Sequence, residues 1–352
     1  MSGSRIGYAL FPALLLALLS ALPLQAQKRR SVRHPTPPTT IVARLAGDGN
    51  AGHDDGATVS ASFSTPRGIA VDRVSGAIYI ADTGNHVIRR IAADSVVVFA
   101  GSASLRGSRD GTRTDARFAL PHAIAAAADG SLFVADTGNH TIRKIDSGGM
   151  VTTIAGAAGV PGSADGAATT SSFRFPQGIA VANDGTIFVA DTGNHTIRKI
   201  SGGQVTTLAG LAGQSGGNNG SRTSARFNAP SGIAVAADGT LIVADAGNGA
   251  IRRVAADGST TTLATGLQNP EGVAISSAGT IFTSDSCSHT ILRIDGNAAV
   301  MFAGSAGSAG SIDGVPIVAR FRFPRGMTFD STNTLIVADS LNHLIRRITE
   351  VH

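Results

Sequence analysis

Five histidines hold one place in a repeated phrase. His86, His140, His195, His289 and His343 each end a turn that opens with an aspartate four residues earlier. The aspartates number six: Asp82, Asp136, Asp191, Asp245, Asp285 and Asp339. Seven residues after each stands an arginine of the Arg89 and Arg143 type, except that Leu292 takes its place once. Imidazoles and carboxylates in such numbers could hold a metal ion or move protons. Their regularity argues for another role. One copy per repeat spaces equivalent side chains widely, and one metal cannot reach them all. The histidines are therefore expected to make turn or inter-repeat hydrogen bonds. The aspartates and arginines are expected to satisfy backbone groups or pair between strands.

The phrase itself is P-x-G-I-A-V, a gap, a strand ending in Ala-Asp, T-G-N-H, and x-I-R-(R/K)-I. Its aspartates are spaced 54, 55, 54, 40 and 54 residues apart. A period of about 40–50 residues, rich in short strands, points to a propeller or an array. The third copy holds four strand signals: Ile179 to Ala182, Thr186 to Ala190, Thr196 to Ile200 and Val205 to Ala209. Gly- and Asn/Asp-rich turns separate them. Four-stranded units arranged radially make a β-propeller. The sixth copy stops after three strands, and a surplus strand, Ile41 to Gly47, stands at the start. The N-terminal strand is expected to complete the sixth blade and close the ring. The fold class is thus an all-β, six-bladed propeller with almost no helix.

Long Gly-rich links join most fourth strands to the next first strand. Each has Asp-Gly or Asn-Gly eight residues before a phenylalanine: Asp55/Phe63, Asp110/Phe118, Asp165/Phe173, Asn219/Phe227 and Asp313/Phe321. A local turn and a phenylalanine packed between blades are expected there. The link into the fifth blade is missing, which accounts for the 40-residue spacing. These motifs, G-I-A-V followed by A-D-T-G-N-H-x-I-R, resemble the NHL repeat over roughly residues 39 to 352. The extended links resemble its long form in exported proteins. The resemblance implies a six-bladed propeller. It carries little about activity, since the family includes RNA-binding propellers, sensor domains and a peptide-amidating lyase. That lyase's metal ligands have no assignable match here.

The first 26 residues differ in kind. Arg5 precedes an apolar run from Ile6 to Leu24, and Ala26 suits cleavage. This reads as a secretory signal. Residues 27–38 read as a basic, Pro-rich linker. A single cysteine, Cys287, excludes an internal disulfide. The formal charge of +5 is modest for 352 residues. Export and the lack of clustered aromatic residues count against a nucleic-acid partner. No stable membrane insertion is expected once the signal is removed, and a monomer is expected.

The informative positions are those that vary inside the constant frame. Between proline and glycine stand, in order, Arg67, His122, Gln177, Ser231, Glu271 and Arg325; Ala123 replaces the glycine of the second copy. Each precedes the innermost strand, so all six should converge on one mouth of the central channel, on the face of the links and T-G-N-H turns. They are candidate ligand-binding residues in a concave polar site, or a solvated rim. The fifth copy departs most. It has Glu271, Ser284 to Ser288 in place of A-D-T-G-N, and no long link, so Cys287 should be accessible. No base or positive field can be assigned to activate its thiol. No catalytic residue, metal ligand or cofactor is assigned. The reading is an exported, non-enzymatic binding propeller for a protein, peptide or glycan. The alternative is a metal-dependent lyase or lactone hydrolase centred on the channel.

Overall fold

The computed structural model describes residues 39–351. The expected signal (1–26) and linker (27–38) lie outside the described residues. Among these residues six antiparallel sheets form the blades, and within each the three inner strands pair in sequence order from the channel outward. In the third blade these are Gly178–Val181, Ile187–Asp191, Thr196–Ser201 and Gln204–Ala209. The second strand, I-F-V-A-D, is apolar up to its closing aspartate because blades cover both its faces, so no alternation is needed. The outer strand Met150–Ala155 is covered less completely: Val151 and Ala155 are buried while Met150, Thr152 and Thr153 are exposed, and its register against the third strand shifts by a bulge. Among the described residues helix is confined to three-residue 3-10 turns.

The ring closes as the surplus strand requires. Thr39–Ala46 pairs antiparallel with Leu344–Val351, from Thr39 opposite Val351 to Ala43 opposite Arg347, with a bulge between Arg44 and Ala46. The expectation of four strands per blade needs one addition. In the first three blades the links supply a two-residue fifth strand, Gly56–Ala57, Gly111–Thr112 and Gly166–Ala167, against the outer edge.

Those links also explain the recurrent arginines. Arg143 is fully buried. Its Nη1 donates to Asp136 Oδ2 (2.7 Å) and its Nη2 to Asp110 Oδ1 (2.6 Å), while the guanidinium lies 5.1 Å from the Phe118 ring centre. Asp110 Oδ2 also accepts from the Thr153 backbone N–H. The Asp-Gly of the link is therefore more than a turn: its carboxylate ties link, third strand and outer strand together. Arg89, Arg198 and Arg346 repeat the cluster with Asp55, Asp165 and Asp313, and Arg252 repeats it with Asn219. Burial pushes the Asp82, Asp136 and Asp339 carboxyls up to about 6, against the pull of their hydrogen bonds and arginines. The fifth blade lost arginine, link acid and phenylalanine together. There Asp285 accepts instead from the backbone N–H groups of Gln268 and Asn269 and from Ser288 Oγ.

The five histidines hold neighbouring blades. Each adopts a left-handed backbone, and each Nδ1 accepts a backbone N–H from the next blade: Leu120, Phe175, Ala229, Phe323 and Thr65 in turn. His140 illustrates the consequence. Burial, then Arg174 and Arg106, hold its imidazole below the usual histidine range. The folded state thus prefers the neutral ring. Its contribution is complete above the unfolded value near 6.5 and is lost as pH falls toward the lower folded value. His140→Asn keeps an acceptor near the same place and suits the left-handed backbone. The parent should exceed this variant at pH 8 by no more than about 1 kcal/mol. Melting curves should show the parent's advantage shrinking or reversing by pH 5; a constant gap would contradict the assignment.

Candidate functional site at the mouth of the central channel

Register places the six variable residues. Pro66, Pro121, Pro230, Pro270 and Pro324 lie opposite Asp82, Asp136, Asp245, Asp285 and Asp339, and in the third blade Gly178 lies opposite Ala190. The inner strands therefore begin at the end of the blade that carries the T-G-N-H turns and long links. Hydroxyls in those turns pin each blade to the next. Thr83, Thr137, Thr192, Ser286 and Ser340 donate to the carbonyls of Pro121, Pro176, Pro230, Pro324 and Pro66, at 2.5–2.7 Å. Ala246 in the fourth blade has no such hydroxyl.

The glycine of P-x-G follows from close approach. A Cβ on Gly178 would stand 1.9 Å from the Ser231 carbonyl oxygen. One on Gly326 would stand 2.1 Å from that of Arg67. Backbones this close draw the inner strands round a cavity of about 240 Å³, lined by all six. Arg67, His122, Gln177, Ser231, Glu271 and Arg325 all line it. Each inner strand is the edge of its sheet, so part of its backbone also faces the channel.

The charges are unevenly matched. Glu271 is the one carboxylate among the lining residues, and it pairs with Arg325 and accepts from Asn269 Nδ2 at 2.9 Å. Among the described residues Arg67 has no ion pair, and its buried Nε has no hydrogen-bond partner. Burial, then the neighbouring Arg325, lower the Arg67 guanidinium to about 10, with Glu271 acting weakly the other way. His122 is 8 % exposed and its Nε2 is buried without a partner. Burial, then Arg67 and Arg325, hold its imidazole well below the ordinary histidine value, so the ring is neutral at pH 7.

Two residues that build this mouth, Asn269 and Thr283, were not singled out from sequence, and Ser284 was noted only as part of the fifth copy's altered turn. Ser284 Oγ accepts the Gly272 N–H (2.8 Å) and donates to the Arg325 carbonyl (2.6 Å), while Thr283 Oγ1 donates to the Gly272 carbonyl (2.8 Å). The other blades have alanine where Ser284 stands, and valine or isoleucine where Thr283 stands. The signal was a hydroxyl pair in a strand that is otherwise apolar in every copy. The fifth blade's departures thus support the Glu271–Arg325 pair. Cys287 is exposed in the turn beyond. Among the described residues no three His, Cys, Asp or Glu side chains are grouped to share a metal ion.

The fold defines a six-bladed propeller built from one repeated unit. The NHL repeat model matches residues 63–91, 118–145, 173–200, 227–253 and 267–294, so the protein is an NHL-repeat propeller. NHL repeat-containing protein 2 of Bos taurus is 29 % identical over 309 residues, covering 80 % of this chain but 38 % of that one. The chain thus spans under two fifths of that relative. An auxiliary nutrient binding protein of Bacteroides thetaiotaomicron superposes with a TM-score of 0.66 at 15 % identity, covering 90 % of this chain and 77 % of that one. A gluconolactonase of Xanthomonas campestris superposes with a TM-score of 0.58 at 15 % identity, covering 90 % and 95 %. At such identities the likeness is one of fold.

Proposed function

We propose that the protein is an exported, non-enzymatic binding propeller that takes its ligand, whether a small molecule or the end of a protein, peptide or glycan, into the channel mouth. One observation carries this reading. The six positions that vary within a constant repeat meet around one cavity, where Arg67 and His122 present polar atoms with no partner in the protein. A concave site with a few convergent polar groups is the usual form of a ligand pocket. The fold likeness to a nutrient binding protein agrees with it. Export rests on the apolar run before Ala26. Among the described residues no helix is long and apolar enough to cross a membrane.

A metal-dependent lactone hydrolase is the second reading, favoured by the fold of the gluconolactonase. The channel is poorly suited to a divalent cation. Its single carboxylate is committed to Arg325, and two guanidinium groups flank the imidazole. Elemental mass spectrometry of the purified, chelator-free protein separates the two. The binding reading expects folded protein without stoichiometric metal, together with saturable rises in melting temperature for some members of a panel of organic acids, sugars and peptides. One equivalent of zinc or calcium, or turnover of any panel compound, would favour the hydrolase.

A further inference from the structure

The chemistry of the mouth narrows the ligand class, and the inference rests on the binding reading above. We propose that the channel mouth seats the carboxylate of a small organic acid against Arg67 and His122, with Glu271 and Arg325 as a fixed pair beside it. The argument begins with charge. Elsewhere the recurrent buried arginines meet an aspartate, as Arg89, Arg143 and Arg198 meet Asp82, Asp136 and Asp191. Arg67 alone among the rim and cluster arginines meets none among the described residues, although its Nε is buried. With His122 neutral, Arg67 and Arg325 against Glu271 leave the mouth one positive charge in excess, and Arg73, beyond the far end of the Pro66–Val71 strand, adds to it. A partly desolvated guanidinium without a counter-ion carries a cost, and an anion offsets it.

Glu271 cannot serve as the internal counter-ion. Its two oxygens go to Arg325 and to Asn269. Ser284 ties the Arg325 backbone to Gly272, the residue after Glu271, so the pair is held where it stands. These are positioning residues, and their effect is to leave Arg67 free. The planar fork of a single free guanidinium matches a carboxylate, and one excess charge at the mouth matches a monoanion better than a phosphate dianion. Below the mouth Ile69, Ile124, Ile179, Ile233, Val273 and Met327 are buried in the blade cores, and the lining presented to the channel is mainly polar, which suits an acid with a short body. At about 30 Å³ per water the space equals about eight waters, so the acid is small or only its end enters.

The test is a chemical-shift titration of the full-length protein, following the Gly68 and Ala123 backbone amides. Sodium butyrate, butyramide and inorganic phosphate are added at constant ionic strength. Butyrate should give saturable shifts that butyramide does not. Arg67→Met should weaken butyrate binding about tenfold or more, the loss expected for one charge-assisted contact. Arg67→Lys, which keeps the charge but not the fork, should weaken it less. Arg293→Met, on the third strand of the fifth blade and paired with Asp295 away from the cavity lining, should change nothing. No saturable butyrate binding, equal affinity in Arg67→Met, or preference for phosphate would each overturn the carboxylate seat. Should neutral sugars shift the same amides while butyrate does not, this inference fails and the binding reading stands. Should nothing in the wider panel bind in the channel, the binding reading fails.

Discussion

Deleting residues 39–47 should leave a chain that aggregates or does not fold. The segment supplies the outer strand of the sixth blade, paired along its length with Leu344–Val351. It buries Val42 and Ala46 completely. It also anchors the last link, because Asp313 Oδ2 accepts the Arg44 N–H and Gly314 exchanges backbone hydrogen bonds with Val42. Asp313 in turn pairs with buried Arg346. Deletion therefore opens the only blade whose strands come from both ends of the chain. It bares the edge of Leu344–Val351 and weakens the half-exposed Asp313–Arg346 ion pair at once. The loss should be comparable to the whole stability of a typical domain, about 5–15 kcal/mol. Chains beginning at residue 39 and at residue 48 can be compared by size-exclusion chromatography and melting. Equal melting temperatures would contradict closure by this strand.

The second large effect is expected at Arg143. Arg143→Met should cost about 3–5 kcal/mol, the usual penalty for removing one partner of a buried pair. Four hydrogen bonds disappear: two to Asp136 and Asp110, and two to the carbonyls of Arg117 and Arg109. Asp136 then stays fully buried with only the Ala119 N–H and Asn139 to satisfy it. Losing the arginine removes one of the influences that lower its pKa, so its carboxyl should rise further above about 6. Asp110→Asn should cost much less, since the Asp110 side chain is 46 % exposed and the amide oxygen still accepts. Asn219 already plays that part in the fourth blade. Chemical denaturation of both variants checks the order, and a loss below about 1 kcal/mol for Arg143→Met would refute it.

Much of this was legible because repetition separates frame from variation. The recurrent Asp, His and Arg residues read as structural, and the bonds from the Leu120 N–H to His86 and from Arg143 to Asp136 are of that kind. The positions between proline and glycine could be placed around one mouth because a propeller has only one axis. The link acids were harder. Asp110 and Arg143 are 33 residues apart, and recurrence reveals that both are kept without revealing that they meet. The fifth blade was hardest. In sequence its serines stand only as a departure from A-D-T-G-N, whereas in the fold Ser284 Oγ donates to the Arg325 carbonyl. Partner geometry of that kind depends on how two blades face each other, which no single repeat encodes. The free Arg67 was invisible for the same reason: its lack of a carboxylate is a property of six strands together.

The most direct test of the channel-mouth site is a melting-temperature screen of the panel of acids, sugars and peptides on two proteins. One is the parent. The other carries Arg67→Met, His122→Gln and Glu271→Gln together. The account predicts that the triple variant folds and that compounds stabilising the parent no longer stabilise it. Stabilisation of both proteins by the same compounds, with unchanged affinities, would contradict a ligand site at the channel mouth.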